Sequence, residues 1–167
     1  MTPDNQDSLR LYERLYVSAL DLARARYYAK FLLKKGWHSN PWERRGSLYL
    51  QQSAFTTALI VSYGRPFTNS NGWPKFPPSL LKLSDTQLAL HFKLIKLRHQ
   101  VYAHSDSVSF EIKPVYNFEG AHFDVVGEPF RKLESDECEE VAVITTKVIE
   151  NIGQKLASLR PSVSRTI

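Results

Sequence analysis

The feature that most constrains the fold is a helical period running without interruption through residues 8–35. Leu9, Tyr12, Tyr16, Ala19, Ala23 and Tyr27 recur on one stripe, with Leu11, Leu15, Leu22 and Ala29 beside it. That spacing predicts a long helix with a wide buried face. An apolar face of this breadth has to be covered by other elements, and the next segment of the chain is again helical in pattern. Gly36 suits a C-terminal cap, and Asn40, Pro41 and Glu43 read as the start of a second helix, with Asn capping, Pro in the first turn and Glu reaching back. This helix is expected to run to about Tyr63, carrying Leu48, Phe55 and Leu59 inward, until Gly64, Arg65 and Pro66 break it.

Ser84, Asp85, Thr86 and Gln87 have the form of a capping box, with Leu83 and Leu88 placed for a hydrophobic staple. They open a third helix whose apolar stripe is Leu90, Leu94, Leu97 and Val101, next to a second stripe of His91, Ile95, Arg98 and Tyr102. Val108, Phe110 and Ile112, then Phe123 and Val125, alternate with polar residues and predict a small hairpin. Ser135 and Asp136 open a last helix along Val141, Ile144, Val148, Ile152, Leu156 and Leu159, expected to stop at Arg160 and Pro161. The expectation is a mainly α fold, an up-and-down four-helix bundle with a β-hairpin insertion at 107–134 between the third and fourth long helices and a frayed tail at 161–167.

A chain of 167 residues fits a single domain spanning 1–167. With 43% hydrophobic and 23% charged residues it has a globular rather than a disordered or fibrous composition. The apolar runs at 58–61 and 141–144 are too short to cross a bilayer, so no membrane role is expected. Cys138 is the only cysteine, which rules out an internal disulfide and fits a reducing cytoplasm. The net charge of +5 permits a polyanionic partner without requiring one.

Residues 64–79 hold four prolines and two glycines and cannot sustain a helix. Phe67, Trp73 and Phe76 interleave there with Arg65 and Lys75. Such residues can stack on bases and neutralise phosphates, and the same aromatics can equally pin a loop onto a helical core.

The densest chemistry lies at 96–106, where Lys96, Arg98, His99, Tyr102, His104 and Asp106 crowd towards a helix end. A guanidinium offers planar bidentate donors to a phosphate, and an imidazole exchanges protons near neutral pH, which is what in-line attack by a ribose 2′-hydroxyl needs. The order Arg98, His99, a short spacer and His104, continued by Ser105 and Asp106, resembles the motif of the HEPN superfamily, particularly its abortive-infection-type members. The resemblance implies a helical RNase of the toxin or phage-defence kind that needs no metal or other cofactor. Arg and His of two subunits would converge at a homodimer interface, and a nucleotidyltransferase-like antitoxin is a possible partner. On that reading Arg98 stabilises the strained phosphate, His104 moves the proton and His99 orients the site, supported by Tyr102 and Asp106. Lys93, Lys96, Arg65 and Lys75 would contact RNA, as would Arg24, Arg26, Lys30 and Lys34.

From spacing alone a plainer reading also holds. His104 continues the stripe of Leu83, Leu90 and Leu97 as a core or helix-terminal histidine, and Arg98 pairs with a carboxylate on a neighbouring helix. On an ideal helix Arg98 and His104 stand about 120° apart, so a catalytic pair requires the helix to change or a second copy to contribute. A non-catalytic module of the same family, binding nucleotide, RNA or protein, and a plain helical scaffold are the alternatives. Elsewhere His38, His91 and His122 lack partners at metal-ligand spacing. Cys138 sits among Asp136, Glu137, Glu139 and Glu140, which disfavour a thiolate. Ser105 and Asp106 are too close in sequence to His104 to form a hydrolase triad, and there is no glycine-rich phosphate loop.

Overall fold

The computed structural model describes residues 3–40, 42–43, 46–69, 71–99, 111–116, 122–127 and 132–163. Its first helix, α1 (Pro3–Lys35), begins ahead of the apolar period and ends where glycine allows it to. Gly36 adopts φ +61°, a left-handed conformation that costs a side-chain-bearing residue more. Its N–H donates to the Leu33 carbonyl at 3.0 Å, and the Trp37 N–H donates to that of Leu32 at 3.1 Å, the paired bonds of a Schellman cap. Trp37 then closes the end by meeting Phe31 edge-on, with ring centroids 5.8 Å apart.

The face that α1 buries is narrower than the apolar pattern suggests. Leu15, Ser18, Leu22, Ala25, Ala29 and Leu32 alternate at three and four residues and are all closed to solvent. This is the seam of a helix gripped on two sides. Tyr16 and Tyr27, expected inside, are 54% and 63% exposed, and Leu9, Tyr12, Ala19 and Ala23 lie half-buried at the edge. The small residues Ser18, Ala25 and Ala29 let neighbouring helices come close, whereas a tyrosine in the seam would have to bury its hydroxyl.

The second helix, α2 (Gly46–Gly64), starts later than expected. Asn40 and Glu43 do close on each other. The Asn40 backbone N–H and side-chain amide each donate to the Glu43 carboxylate at 2.8 Å, and the Glu43 N–H donates to the Asn40 carbonyl at 3.1 Å. Because the Asn40 amide is a donor here, the contact makes a turn and not the expected helix cap. Within α2, Leu59 is fully buried, while Leu48 and Phe55 are half-buried, Phe55 stacking on Phe31 with centroids 4.5 Å apart. Buried Gln52 clamps the chain after α1, donating to the Ser39 carbonyl at 2.8 Å and accepting from its N–H at 3.0 Å. His38, just before, bonds through Nδ1 to the Leu133 carbonyl at 2.9 Å.

Short 3₁₀ turns at Arg65–Phe67 and Pro78–Leu80 punctuate the proline-rich loop. Phe76 is buried, half-buried Phe67 packs against it edge-on at 5.0 Å, and Trp73 is exposed. Two of the three loop aromatics therefore pin the loop to the core.

α3 (Asp85–Leu97) opens on the expected capping box. The Ser84 Oγ accepts from the Gln87 N–H at 3.3 Å, and the Gln87 side chain accepts from the Ser84 N–H at 3.1 Å. The Gln87 amide also donates to Glu140 at 2.8 Å, tying this start to the fourth helix. Strands β1 (Glu111–Tyr116) and β2 (His122–Gly127) pair antiparallel from Glu111↔Gly127 to Tyr116↔His122.

The fourth helix, α4 (Ser135–Val163), sends Cys138, Val141, Ile144, Val148 and Ile152 into the core. It continues through Pro161 rather than stopping there. A proline at this position removes one backbone donor, the N–H that would reach the carbonyl four residues back. Each helix touches the next in sequence, and α4 returns to pack extensively on α1, so the helices form a bundle. None of the described helices is long and apolar enough to cross a membrane.

Candidate functional site

The site is built where the end of α2 meets the end of α3. Tyr63 and Gly64 are consecutive on α2, and His91 on α3 lies seven residues, two turns, before Arg98, the residue that follows the end of that helix. The Tyr63 hydroxyl and His91 Nδ1 are 3.0 Å apart in the interior. Next to this pair the aliphatic stem of Arg98 lies against the backbone of Gly64. A Cβ placed on Gly64 would come 2.9 Å from Arg98 Cγ, 3.2 Å from Cδ and 3.3 Å from Cβ. Glycine at 64 thus makes the seat of Arg98, a contact that spacing in the sequence does not announce.

At Arg98 the regular helix gives way. The Arg98 N–H still reaches the carbonyls of Ile95 and Leu94, but Arg98 and His99 adopt a wider, π-helical form. Angular arithmetic based on 3.6 residues per turn therefore ends at Leu97, and widened turns of this kind recur at functional sites. The Arg98 Nη1 lies 3.3 Å from His99 Nδ1. A guanidinium only donates, so Nδ1 is the acceptor in this contact. Tyr102, His104 and Asp106 lie outside the described residues.

His91 is enclosed by rings, with centroids of Phe67 at 4.7 Å, Phe92 at 5.4 Å and Tyr63 at 5.9 Å. It lines a cavity of about 180 Å³ shared with Phe67, Phe76, Asn69 and Lys75. Burial pushes its pKa below the ordinary 6.5 and raises that of the Tyr63 phenol, so both groups are held neutral. Because the folded chain disfavours the proton on His91, the unfolded chain binds more protons below pH 6.5. Stability should be full above that pH and decline as pH falls below it towards the folded pKa. Urea midpoints at pH 5 and pH 7.5 check this, and the difference should shrink in a His91→Gln variant.

The basic residues are not equally free. Arg65 reaches Asp21 at 3.5 Å, and buried Asp21 also takes Arg24 at 3.0 Å. Lys93 is paired with Glu137 on α4. Lys96 and Lys75 are exposed, with Lys75 at the cavity lined by His91. Arg14 belongs to none of the sequence motifs and yet bears on the site. Its side chain is buried and donates to the carbonyls of Pro66 at 2.7 Å and of Arg65 and Thr68 at 3.3 Å, binding the first 3₁₀ turn to α1. Its one signal in the sequence is an arginine next to the Leu15 stripe, too common to single out.

Cys138 is closed to solvent, and burial together with Glu137, Asp136, Glu134 and Glu139 pushes its thiol up to about 12. Among the described residues no group of three His, Cys, Asp or Glu side chains is placed to hold a metal ion. Compared with family models, curated proteins and solved structures, the chain matches none.

The seat of Arg98 gives a paired prediction. Helical Gly153 has open space around its Cβ position, so Gly153→Ala should stabilise the chain by about 0.5–1 kcal/mol through helix propensity. Gly64→Ala, at the last residue of α2, gains less from propensity and drives a methyl into the Arg98 stem near its backbone, where overpacking costs about 1–3 kcal/mol. The two substitutions should shift urea midpoints in opposite directions.

Proposed function

We propose that the chain is a HEPN-type endoribonuclease of the toxin or phage-defence kind, cleaving RNA by attack of the 2′-hydroxyl at a site completed in a homodimer. The observation that carries this reading is Arg98. Its stem is fixed on Gly64 at the end of a bundle helix, and its guanidinium lies 3.3 Å from the His99 imidazole. A positioned guanidinium stabilises charge gathering on a phosphate without reorganising, and histidine supplies the proton traffic, in this reading through His104. The chemistry asks nothing of a metal. A nucleotidyltransferase-like antitoxin belongs to the same reading as the protein that would restrain it.

The half-buried Arg98 stem favours a second reading, a non-catalytic module of the same kind in which Arg98 is kept for packing. Incubating the purified chain with total RNA in excess chelator separates the two. Cleavage products, with twice the chain mass by light scattering, are the expected outcome. Intact RNA at every protein concentration would leave the packing role standing.

A further inference from the structure

Beside Arg98, the outer face of α3 presents Phe92 and Lys96, four residues apart, and His99 follows in the turn after the helix, all three exposed. Phe92 is 65% open to solvent, although its ring is braced edge-on against buried His91 at 5.4 Å. Charge divides this face. Near the start of α3 the side chains of Asp136, Glu137 and Glu140 line a groove with Ala89 and Lys93, and Glu137 takes up Lys93. Towards the end of α3, Lys96 and His99 stand free of any carboxylate partner among the described residues and lead to Arg98. An aromatic face followed by Lys96 and the Arg98 guanidinium, with acids behind, fits a polyanion that carries flat bases.

We infer that this stripe docks an unpaired RNA strand, with Phe92 stacking on a base while Lys96 and His99 guide the neighbouring phosphate towards Arg98. The inference rests on the ribonuclease reading and assigns it a docking surface on this chain. Within a duplex both faces of a base are covered by neighbouring bases, so a phenyl ring on a helix surface can stack only where the strand is open. Phe92 and Lys96 are four residues, about 6 Å, apart along one face of the helix, and the Arg98 guanidinium lies 3.3 Å from His99 at the end of that face, short enough for one strand to reach. A second copy of the chain fits the stripe less well. A stable dimer needs roughly 800 Å² from each partner, and here Phe92 is the one exposed large apolar side chain among the described residues of α3.

The test is fluorescence anisotropy with a labelled 2′-O-methyl oligoribonucleotide, which cannot be cleaved because its nucleophile is blocked, used alone and annealed to its complement. Phe92→Ala and Phe92→Leu should each weaken single-strand binding about tenfold or more, Phe92→Trp should restore it, and duplex binding should not change. Lys96→Ala should lower the slope of log affinity against log salt by about 0.7. The leucine variant separates a lost aromatic face from lost packing. Wild-type affinity in Phe92→Leu, or equal weakening on the duplex, overturns the inference. So does conversion of a dimer to monomers by Phe92→Ala, which would assign the stripe to a second copy. A wild-type chain that shows the Phe92 dependence yet leaves unmodified RNA intact in chelator supports the docking surface and removes the ribonuclease. A chain that cleaves RNA while Phe92→Ala binds and cleaves normally removes the docking surface alone.

Discussion

Replacing Arg98 with methionine is expected to reduce RNA cleavage by orders of magnitude while the helical content and melting temperature stay near those of the parent chain. Methionine keeps an unbranched stem against Gly64 and so retains most of the packing that alanine would remove, leaving the charge as the main difference. In the cleavage transition state negative charge gathers on the phosphate oxygens, and losing one positioned donor there costs about 3–4 kcal/mol, a hundredfold to a thousandfold in rate. Arg98→Lys should recover only part of the loss, because an ammonium lacks the planar fork that grips two oxygens. His104→Ala should cost about a hundredfold to ten-thousandfold through lost proton transfer, and His99→Ala less. Rates on a fluorogenic RNA in chelator, beside circular dichroism melts, decide the matter. Normal cleavage by the folded methionine and His104→Ala variants would make Arg98 a packing residue, and equal cleavage of DNA would rule out the 2′-hydroxyl as nucleophile.

What the sequence discloses about this fold depends on how local the cause is. The capping box at Ser84 and Gln87 and the glycine cap at Gly36 are set by residues three or four apart, and both form as their spacing implies. The α1 seam is less local. Its apolar residues cover a broad arc, and only the approach of α2 and α4 decides that Leu15, Leu22 and Ala29 go inside while Tyr16 and Tyr27 stay out. At Asn40 and Glu43 the side-chain bonds are those expected, yet they close a turn, because a helix start also depends on the residues after it. The site depends on contacts distant in sequence. Arg98 and the adjacent imidazole are visible as a motif, but the glycine that seats Arg98 is 34 positions away and looks in the sequence like a helix breaker.

Arg14 makes another such distant contact, and Arg14→Ala is expected to cost about 3 kcal/mol. Three effects compete. Burial holds the guanidinium pKa below its ordinary value, with Asp21 partly opposing this, so removing the charge relieves some desolvation cost. Against that, the carbonyls of Pro66, Arg65 and Thr68 lose their shared donor. The Pro66 bond is fully buried, where water cannot readily replace it, whereas the other two are partly open and can be rehydrated. Truncation to alanine also leaves a void where the buried side chain stood, which adds a cavity cost. The void and the orphaned carbonyl outweigh the relieved charge. Arg14→Met fills the void without supplying a donor, so it should fall between alanine and the parent chain in urea midpoint. For a chain of this size the alanine loss should lower the melting temperature by about 6–12 °C. The consequence for activity comes from connectivity, since the turn held by Arg14 begins at Arg65, directly after the Gly64 that seats Arg98. Cleavage by Arg14→Met, measured well below its melting temperature, should therefore fall more than its stability does. An unchanged rate in that variant would mean the seat of Arg98 is held by α2 and α3 alone.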